Sequence, residues 1–535
     1  MSKNQFLRGT FFLSSASLIS KILGFIYIIP FTAFVGTQGY ALYKYAYGPY
    51  TIMLSISTMG IPLAISKMIS KYHHLQRKDI EIKILKFGFI FMLISGIASY
   101  LLLNSFAVHL ARIVVDDDSS GNSISEVTYV IKLVSYALII IPPMSLLRGF
   151  FQGYQSMGPS ALSTITEQFI RVIFIILGTY TALNLFHTSI KEAVGVGTFG
   201  AFVGGVAGLI VLLLFLFKRK KFLFEINSNY QATMNVSIRT LFKEMISYSI
   251  PFVIVGLSIP LYQNIDTFTI NSVLNKVGYP LKEAEIVNSV IGLAQILVLI
   301  PVSLTTGLSM SIIPSITSDF VNKNYQEVNN KINQSLLILF LLIMPMGLGL
   351  MSLSEPLYLL MFGPDNSPVL GGQILKLYSP AAILIALYGI TCSIMQAVNL
   401  HKQVIFGLFI GLSIKLGLNF ILPQYFLEQG FIFSTYFGFA ASLIYNLIFF
   451  NLKLNYSFKK IRFRMISILI SSLLMCFIII FFSNGLSNSI KLNGTFDNLI
   501  ITAFFILLGI CVYFTGIYLT NREKFKNYIK FKNMS

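Results

Sequence analysis

Long apolar runs separated by short polar connections fill most of the chain. Fourteen of them are predicted as membrane-spanning helices, at residues 10–35, 44–70, 85–110, 127–147, 160–183, 194–217, 244–273, 286–313, 333–353, 373–398, 404–422, 431–452, 465–483 and 497–520. Each is near or above the roughly 20 residues that a helix needs to cross a hydrocarbon core. Composition agrees: 55% of the 535 residues are hydrophobic and 11% are charged, more apolar chain than a soluble core absorbs. The expected fold class is an all-α polytopic membrane protein. The first run continues from Phe11 to Val35 without a small-residue cleavage site, so it is read as a span and not as a removable signal.

Charge in the connections sets a direction. Lys3 and Arg8 precede the first span, and Lys71, Arg77, Lys78, Lys83 and Lys86 follow the second. Arg148 follows the fourth, and Lys218, Arg219, Lys220 and Lys221 follow the sixth. Lys323 and Lys331 follow the eighth, Lys402 the tenth, and Lys453, Lys459, Lys460, Arg462 and Arg464 the twelfth. Arg522, Lys524, Lys526, Lys530 and Lys532 close the chain, whereas the intervening connections are poor in Lys and Arg and one carries Asp116, Asp117 and Asp118. The alternation predicts cytoplasmic N- and C-termini. In so apolar a chain, the net charge of +19 points to cytoplasmic loops and anionic lipid headgroups, not to nucleic acid.

Two sequence features occur twice. The end of span two (Ser55, Ile56, Ser57, Thr58, Met59, Gly60, Ile61, Pro62) resembles that of span eight (Val302, Ser303, Leu304, Thr305, Thr306, Gly307, then Pro314). The connection Arg148-Gly149-Phe150-Phe151-Gln152-Gly153-Tyr154-Gln155-Ser156-Met157-Gly158-Pro159 has an echo in Ser393-Ile394-Met395-Gln396-Ala397-Val398-Asn399-Leu400. A displacement of about six spans is even, which implies a parallel repeat about a pseudo-twofold along the membrane normal. The expected division is an N-terminal six-helix bundle at 1–217, a basic linker at 218–243, a C-terminal six-helix bundle at 244–453, and two extra helices with a basic tail at 454–535. In the 148–159 stretch the glycines are expected to supply positive φ in a tight turn, with Pro159 opening the next helix. Arg148, Gln152, Gly153 and Gln396 are the candidate turn or gating residues. Pro30, Pro49, Pro62, Pro142, Pro143, Pro251, Pro260, Pro301, Pro314 and Pro345 fit either ordinary tolerance in membrane helices or bending that lets the halves rock.

Charges within apolar spans are the sharpest chemical signal, because they are costly there unless they face protein or water. Among them are Lys21, Lys44, Lys132, Arg148, Glu167, Arg171, Asp266, Lys376 and Lys415. Lys44, Lys132 and Lys376 fit snorkelling to the outer headgroups as well as function, and Arg148 fits an inner-leaflet anchor. Glu167 and Arg171 share a helix face and fit either a structural pair or a site. The excess of positive charge in the first half suits an anionic group such as a diphosphate, for which Lys offers a point charge and Arg a bidentate fork. Lys21, Lys44, Arg171 and Arg8 are the candidate substrate ligands. Glu167, Asp266 and Lys415 are candidate charge partners or ion-coupling groups.

No phosphate-binding Gly-rich loop and no zinc-type His pair occurs in the sequence, so neither an enzyme nor a cofactor is expected. His73 and His74 are adjacent and diverge on a helix, and Cys392, Cys476 and Cys511 lie in apolar runs as packing residues. Driving energy would come from the membrane potential or a Na+/H+ gradient.

The 148–159 run resembles the polysaccharide-biosynthesis exporters of the MOP superfamily, with its MATE-like fold. Arg8-Gly9-Thr10, Ser20-Lys21-Ile22-Leu23-Gly24-Phe25, Tyr45-Ala46-Tyr47-Gly48-Pro49-Tyr50 and Gly60-Ile61-Pro62-Leu63-Ala64 are similar to the Gram-positive MurJ/SpoVB/YtgP branch, the lipid II flippases and their sporulation relatives. The resemblance implies two six-helix bundles around a cationic cavity, two extra helices lining a lipid groove, and alternating access. It also implies an undecaprenyl-diphosphate-linked peptidoglycan precursor as substrate and the cell-wall synthesis machinery as partner. Lys21 stands where Gram-negative members carry an Arg; Tyr27 stands at a second such Arg, and 51–59 holds no basic counterpart of a third. Alternatives are export of another lipid-linked glycan (capsule, teichoic acid or a sporulation precursor), multidrug/cation antiport, and a membrane glycan polymerase or acyltransferase with Asp116–Asp118 as its carboxylates.

Overall fold

A computed structural model of the chain describes residues 16, 19–58, 60–115, 121–220, 237–454, 456, 459–489 and 495–520. All regular structure among these is helical. Arg8, the Asp116–Asp118 loop, most of the basic linker and the basic tail lie outside the described residues.

The first unit comprises Met1–Ser289. Its helices are α1 (Ile19–Thr58), α2 (Ile61–His74), α3 (Lys78–Val114), α4 (Ile124–Ser135), α5 (Ala137–Gly153), α6 (Met157–Asn184), α7 (Ile190–Lys218) and α8 (Ile238–Lys276). The first turns of α9 (Leu281–Val321) also belong to it. Spans one and two run together as α1. The chain turns inside it at Gly36, whose φ of 65° and ψ of −175° suit only glycine. The polar signature at 55–62 is a second break: Gly60 has φ of 81° and Pro62 opens α2. These glycines, not the prolines, interrupt the helix; Pro49, Pro142 and Pro143 lie within continuous helices.

The second unit comprises Val290–Ser535. After the remainder of α9 come α10 (Tyr325–Ser352), α11 (Ser354–Phe362), α12 (Pro368–Tyr378), α13 (Ala381–Ala397), α14 (His401–Ile421), α15 (Pro423–Phe426), α16 (Gln429–Leu454), α17 (Lys459–Ser489) and α18 (Thr495–Thr520). The C-terminal pair docks on α10 through Leu348, Leu353, Met475, Cys476, Ile479, Phe505 and Tyr513. Tyr513 also donates to the Leu341 carbonyl at 2.7 Å. The units divide inside α9, which leaves predicted span seven, within α8, in the first unit.

Among the described residues, eleven helices are long and apolar enough to span, or twelve when α12 and α13, bent by 44°, count as one. The expected fourteen is therefore not reached by length and composition. Two spans merge into α1, and α8 is long but polar. Apolar side chains such as Ile90, Leu177, Phe406, Phe477 and Leu507 are exposed along the helices, as a lipid-facing surface requires.

The 148–159 motif folds differently from its expected form. Gly149 and Gly153 are helical residues of α5, and positive φ falls instead on Gln155, at 56°. The glycines allow close packing: a Cβ on Gly149 would lie 2.4 Å from the Pro62 carbonyl oxygen, and one on Gly153 2.6 Å from Ile69 Cβ. The turn geometry does repeat. Gln155 N–H donates to Gln152 O and Ser156 N–H to Phe151 O; Asn399 and Leu400 donate likewise to Gln396 and Met395, with Asn399 at φ 62°. The turns at Gln76 and Lys323 share the pattern. Gly278, at φ 105°, closes α8 in the same way, so caps of this kind stand at 76, 155 and 278 in the first unit and at 323 and 399 in the second. Gly149→Ala is expected to destabilise the first unit by about 1–3 kcal/mol, the cost of overpacking a close contact. Thermal unfolding in detergent tests this, with Gly158→Ala, whose Cβ meets nothing within 4 Å, as the neutral control.

Candidate functional site

Helices α6 and α7 form the most extensive pairing of the first unit. Small residues on α7 permit it: a Cβ on Gly204 would lie 2.6 Å from the Glu167 carbonyl oxygen, and one on Gly208 3.1 Å from Glu167 Cβ. Glu167 is thereby held against the α7 backbone. Its carboxylate accepts from Arg171 Nη2 at 2.5 Å, one helical turn on, and from Arg148 Nη2 at 2.8 Å, at the end of α5. Arg148 also reaches Ser163 Oγ from Nε and Nη2 at 3.1 and 2.9 Å, and Ser163 donates to Gly208 O. The side chains of Arg148, Glu167 and Arg171 are 17, 12 and 15% exposed, so the two cations and one anion are mostly shielded. Arg148 is therefore more than an anchor, and the i,i+4 pair is real but is only part of a three-residue network. Its formal charge is +1.

The first half of α1 lies along the same part of α6. A Cβ on Gly24 would lie 3.2 Å from Gln168 Nε2. Lys21, one turn earlier, is partly buried, and Tyr27, one turn later, is buried and lies within electrostatic reach of Arg171, as do Tyr47 and Tyr50. Past the Gly36 break the same helix presents Tyr40, Tyr43, Tyr47 and Tyr50 at spacings of three and four. Tyr43 stacks on Tyr47 with centroids 4.6 Å apart, and Tyr47 meets Tyr50 edge-on at 5.0 Å. Tyr27 and Tyr43 share a hydroxyl–hydroxyl bond of 2.7 Å. Sequence reasoning singled out Lys21, Glu167 and Arg171 but not this ladder. Its signal was the i,i+3,i+4 recurrence of a polar-tipped aromatic in an apolar span.

Other candidates sit apart from this face. Lys44 is 9% exposed and donates to Asn288 O and Oδ1 at 2.8 and 2.7 Å, so it does not snorkel. Asn288 in turn bonds Asn271 and Thr267 O, and Asn271 bonds Tyr45 and Val114 O. Glu285, one turn before Asn288, receives the Asn122 backbone and side-chain N–H groups at 3.0–3.1 Å. This polar network, absent from the sequence reading except for Lys44, ties α9 to α1, α8 and the 121–123 loop. Asp266 is 1% exposed in α8. Lys415 is wholly buried in the second unit, where its ammonium donates to Thr435 across the α14–α16 pair at 2.5 Å. Lys132 and Lys376 are exposed. Gln152, at the end of α5, is half-buried, while Gln396 is buried at 8% exposure.

At the basic end of the first unit, Glu81 is 1% exposed and accepts from Tyr154 and, at 3.3 Å, pairs with His73 Nδ1. Burial, then the Glu81 carboxylate, hold the Tyr154 phenol well above its usual range. Lys71 bonds Glu244 at 2.7 Å, joining α2 to α8. Burial, and after it Glu244, raise the Tyr72 phenol as well.

Long apolar helices carrying a cationic, phenol-lined face define the class as a multi-pass membrane protein. Solved structures share the fold: a lipid II flippase MurJ in an inward closed conformation has a TM-score of 0.68 at 17% identity, over 96% of this chain and 99% of that one. An inward-facing multidrug resistance MATE family transporter of the MOP superfamily has 0.63 at 12% identity, over 80% and 94%. The family description "Polysaccharide biosynthesis protein" matches residues 6–320. The chain belongs to that family, on its MurJ branch. The lipid II flippase MurJ of Bacillus subtilis (strain 168) is 40% identical over 88% of this chain and 87% of its own length, and the stage V sporulation protein B of the same organism is 26% identical over 79% and 78%.

Glu167→Gln would leave Arg148 and Arg171 facing each other with no neutralising carboxylate. We expect a loss of about 3 kcal/mol, the low end for breaking a buried ion pair by removing one partner. The double variant Glu167→Gln/Arg148→Met is expected to recover part of it. Chemical or thermal unfolding of the three proteins tests the coupling.

Proposed function

We propose that the chain flips the lipid-linked peptidoglycan precursor, lipid II, from the inner to the outer leaflet by alternating access. The observation that carries this reading is the 40% identity, across nearly the full length of both chains, to a relative named as the lipid II flippase MurJ. The chemistry of the first unit supports it. Arg148 and Arg171 outnumber Glu167 on the α5–α6 face, and Lys21 lies on the adjoining turn of α1. A diphosphate headgroup is attracted by that imbalance, while an undecaprenyl tail stays in hydrocarbon outside the helices. In this reading Lys21 and Arg171 hold the diphosphate, with Arg8 a third ligand, and Glu167 orients Arg171. Lys44 is reassigned from ligand to structural donor, because Asn288 engages it. Asp266 and Lys415 are the groups for coupling to the membrane potential or an ion gradient, since buried charge in a span responds to both. The basic connections support cytoplasmic N- and C-termini, with two halves of six spans each rocking about the parallel repeat.

A second reading, export of another undecaprenyl-diphosphate-linked glycan, draws on the 26% identity to the sporulation protein. The same charged face serves it, with other sugar contacts. Multidrug/cation antiport is disfavoured by the cationic balance of the site.

Complementation separates these. In a strain depleted of its lipid II flippase, the chain is expected to restore growth and outer-leaflet lipid II, measured by leaflet-resolved labelling. Lys21→Ala is expected to lower that signal about tenfold or more, as loss of a charge-assisted contact implies. Absence of rescue, or full rescue by Lys21→Ala together with no affinity of the purified protein for lipid II, overturns the assignment.

A further inference from the structure

The tyrosine ladder of α1 holds more hydrogen-bond donors than the protein uses. The Tyr50 ring is 1% exposed, yet its hydroxyl has no hydrogen-bond partner in the protein, and the same is true of Arg171 Nε. In the Tyr27–Tyr43 pair one hydroxyl donates to the other, so the accepting phenol keeps its own proton for a further acceptor. Tyr47, partly exposed, stacks between Tyr43 and Tyr50. The Arg171 guanidinium lies within electrostatic reach of Tyr27, Tyr47 and Tyr50. Buried donors without acceptors are costly, on the order of 1–3 kcal/mol each. Were packing the only role of these rings, phenylalanine would serve it without that cost.

What would satisfy several O–H groups and one N–H at once is a group presenting many acceptors and negative charge. Glu167 already occupies one edge of Arg171, so the triad retains only one net positive charge. One charge with neutral donors around it binds a polyanion through many short contacts while holding it less tightly than a cluster of cations would. A carrier needs that balance, because its cargo must leave again. We propose that Tyr27, Tyr43, Tyr47 and Tyr50 form with Arg171 a hydroxyl-donor cradle for the diphosphate of the lipid-linked substrate. The proposal rests on the flippase reading for the identity of the anion and adds to it the neutral donors that recognise it. Because a diphosphate spans several donors at once, the cradle distinguishes it from a lipid monophosphate.

The test uses the full-length protein in nanodiscs, with undecaprenyl diphosphate and undecaprenyl monophosphate as probes. Tyr47→Phe, Tyr50→Phe and the double variant each delete hydroxyls and keep the rings. The wild-type protein is expected to prefer the diphosphate, and the double variant to lose about tenfold of its diphosphate affinity, as removal of two donors to a charged acceptor implies. Ligand-free thermal stability of Tyr50→Phe is expected to stay level or rise, because an unpartnered buried hydroxyl is removed. Tyr43→Phe, which also breaks the bond to Tyr27, is the second variant. If the wild type binds the diphosphate and all the Phe variants bind it within about twofold of wild type, less than one such contact is worth, the cradle is wrong and the flippase reading stands. If the wild-type protein binds neither probe, the flippase reading and the cradle fall together.

Discussion

The Glu167 carboxylate between Arg148 and Arg171 is the constraint on which the first unit depends. Charge inside a span is tolerated only when it is neutralised and hydrogen-bonded within the protein. Here the neutralisation joins the end of α5 to α6, and the close approach of α7 through Gly204 and Gly208 shields it from lipid. A bulkier stripe on α7 would push the helices apart and leave the triad unshielded. Glycine packing and ion pairing are therefore two parts of one arrangement: the first gives the second its low-dielectric setting, where the pairing is strongest.

Around that fixed point the unit separates two kinds of polar group. The Lys44–Asn288–Asn271–Tyr45 network has its partners within the protein, and it binds α9 to α1 and α8. The Arg171 and tyrosine face is open, with donors that the protein leaves unused. Matched networks rigidify; unmatched donors mark a place for something else. Both arise from lysines, arginines and tyrosines in apolar helices, and only their partners distinguish them.

Much of the fold was legible because its causes are local. A run of about 20 apolar residues is a spanning helix in any context, and Gly60-Ile61-Pro62 marks a break because a left-handed glycine and a helix-opening proline act on their own backbone. The repeated turn ending in Gln152 and Gln396 was found by its residues, and its cap geometry does recur. The count of spans was harder: predicted spans one and two run on as α1 across the Gly36 break, and predicted span seven is part of the 39-residue α8. Arg8 and the Asp116–Asp118 loop, both weighed in the sequence, lie outside the described residues.

By itself the sequence determined the class of protein, the helices and their breaks, and the surplus of positive charge in the first half, because hydropathy, backbone freedom and charge are properties of short segments. Only the tertiary structure decided what each charge does. It tied Arg148 and Arg171 to one carboxylate and took Lys44 out of the headgroup region to Asn288. It made the glycines of the 148–159 motif contact surfaces for Pro62 and Ile69 instead of turn residues. The physical reason is that pairing and close packing act over a few ångströms between residues far apart in the chain, such as Lys44 and Asn288, and nothing in either segment alone records its partner.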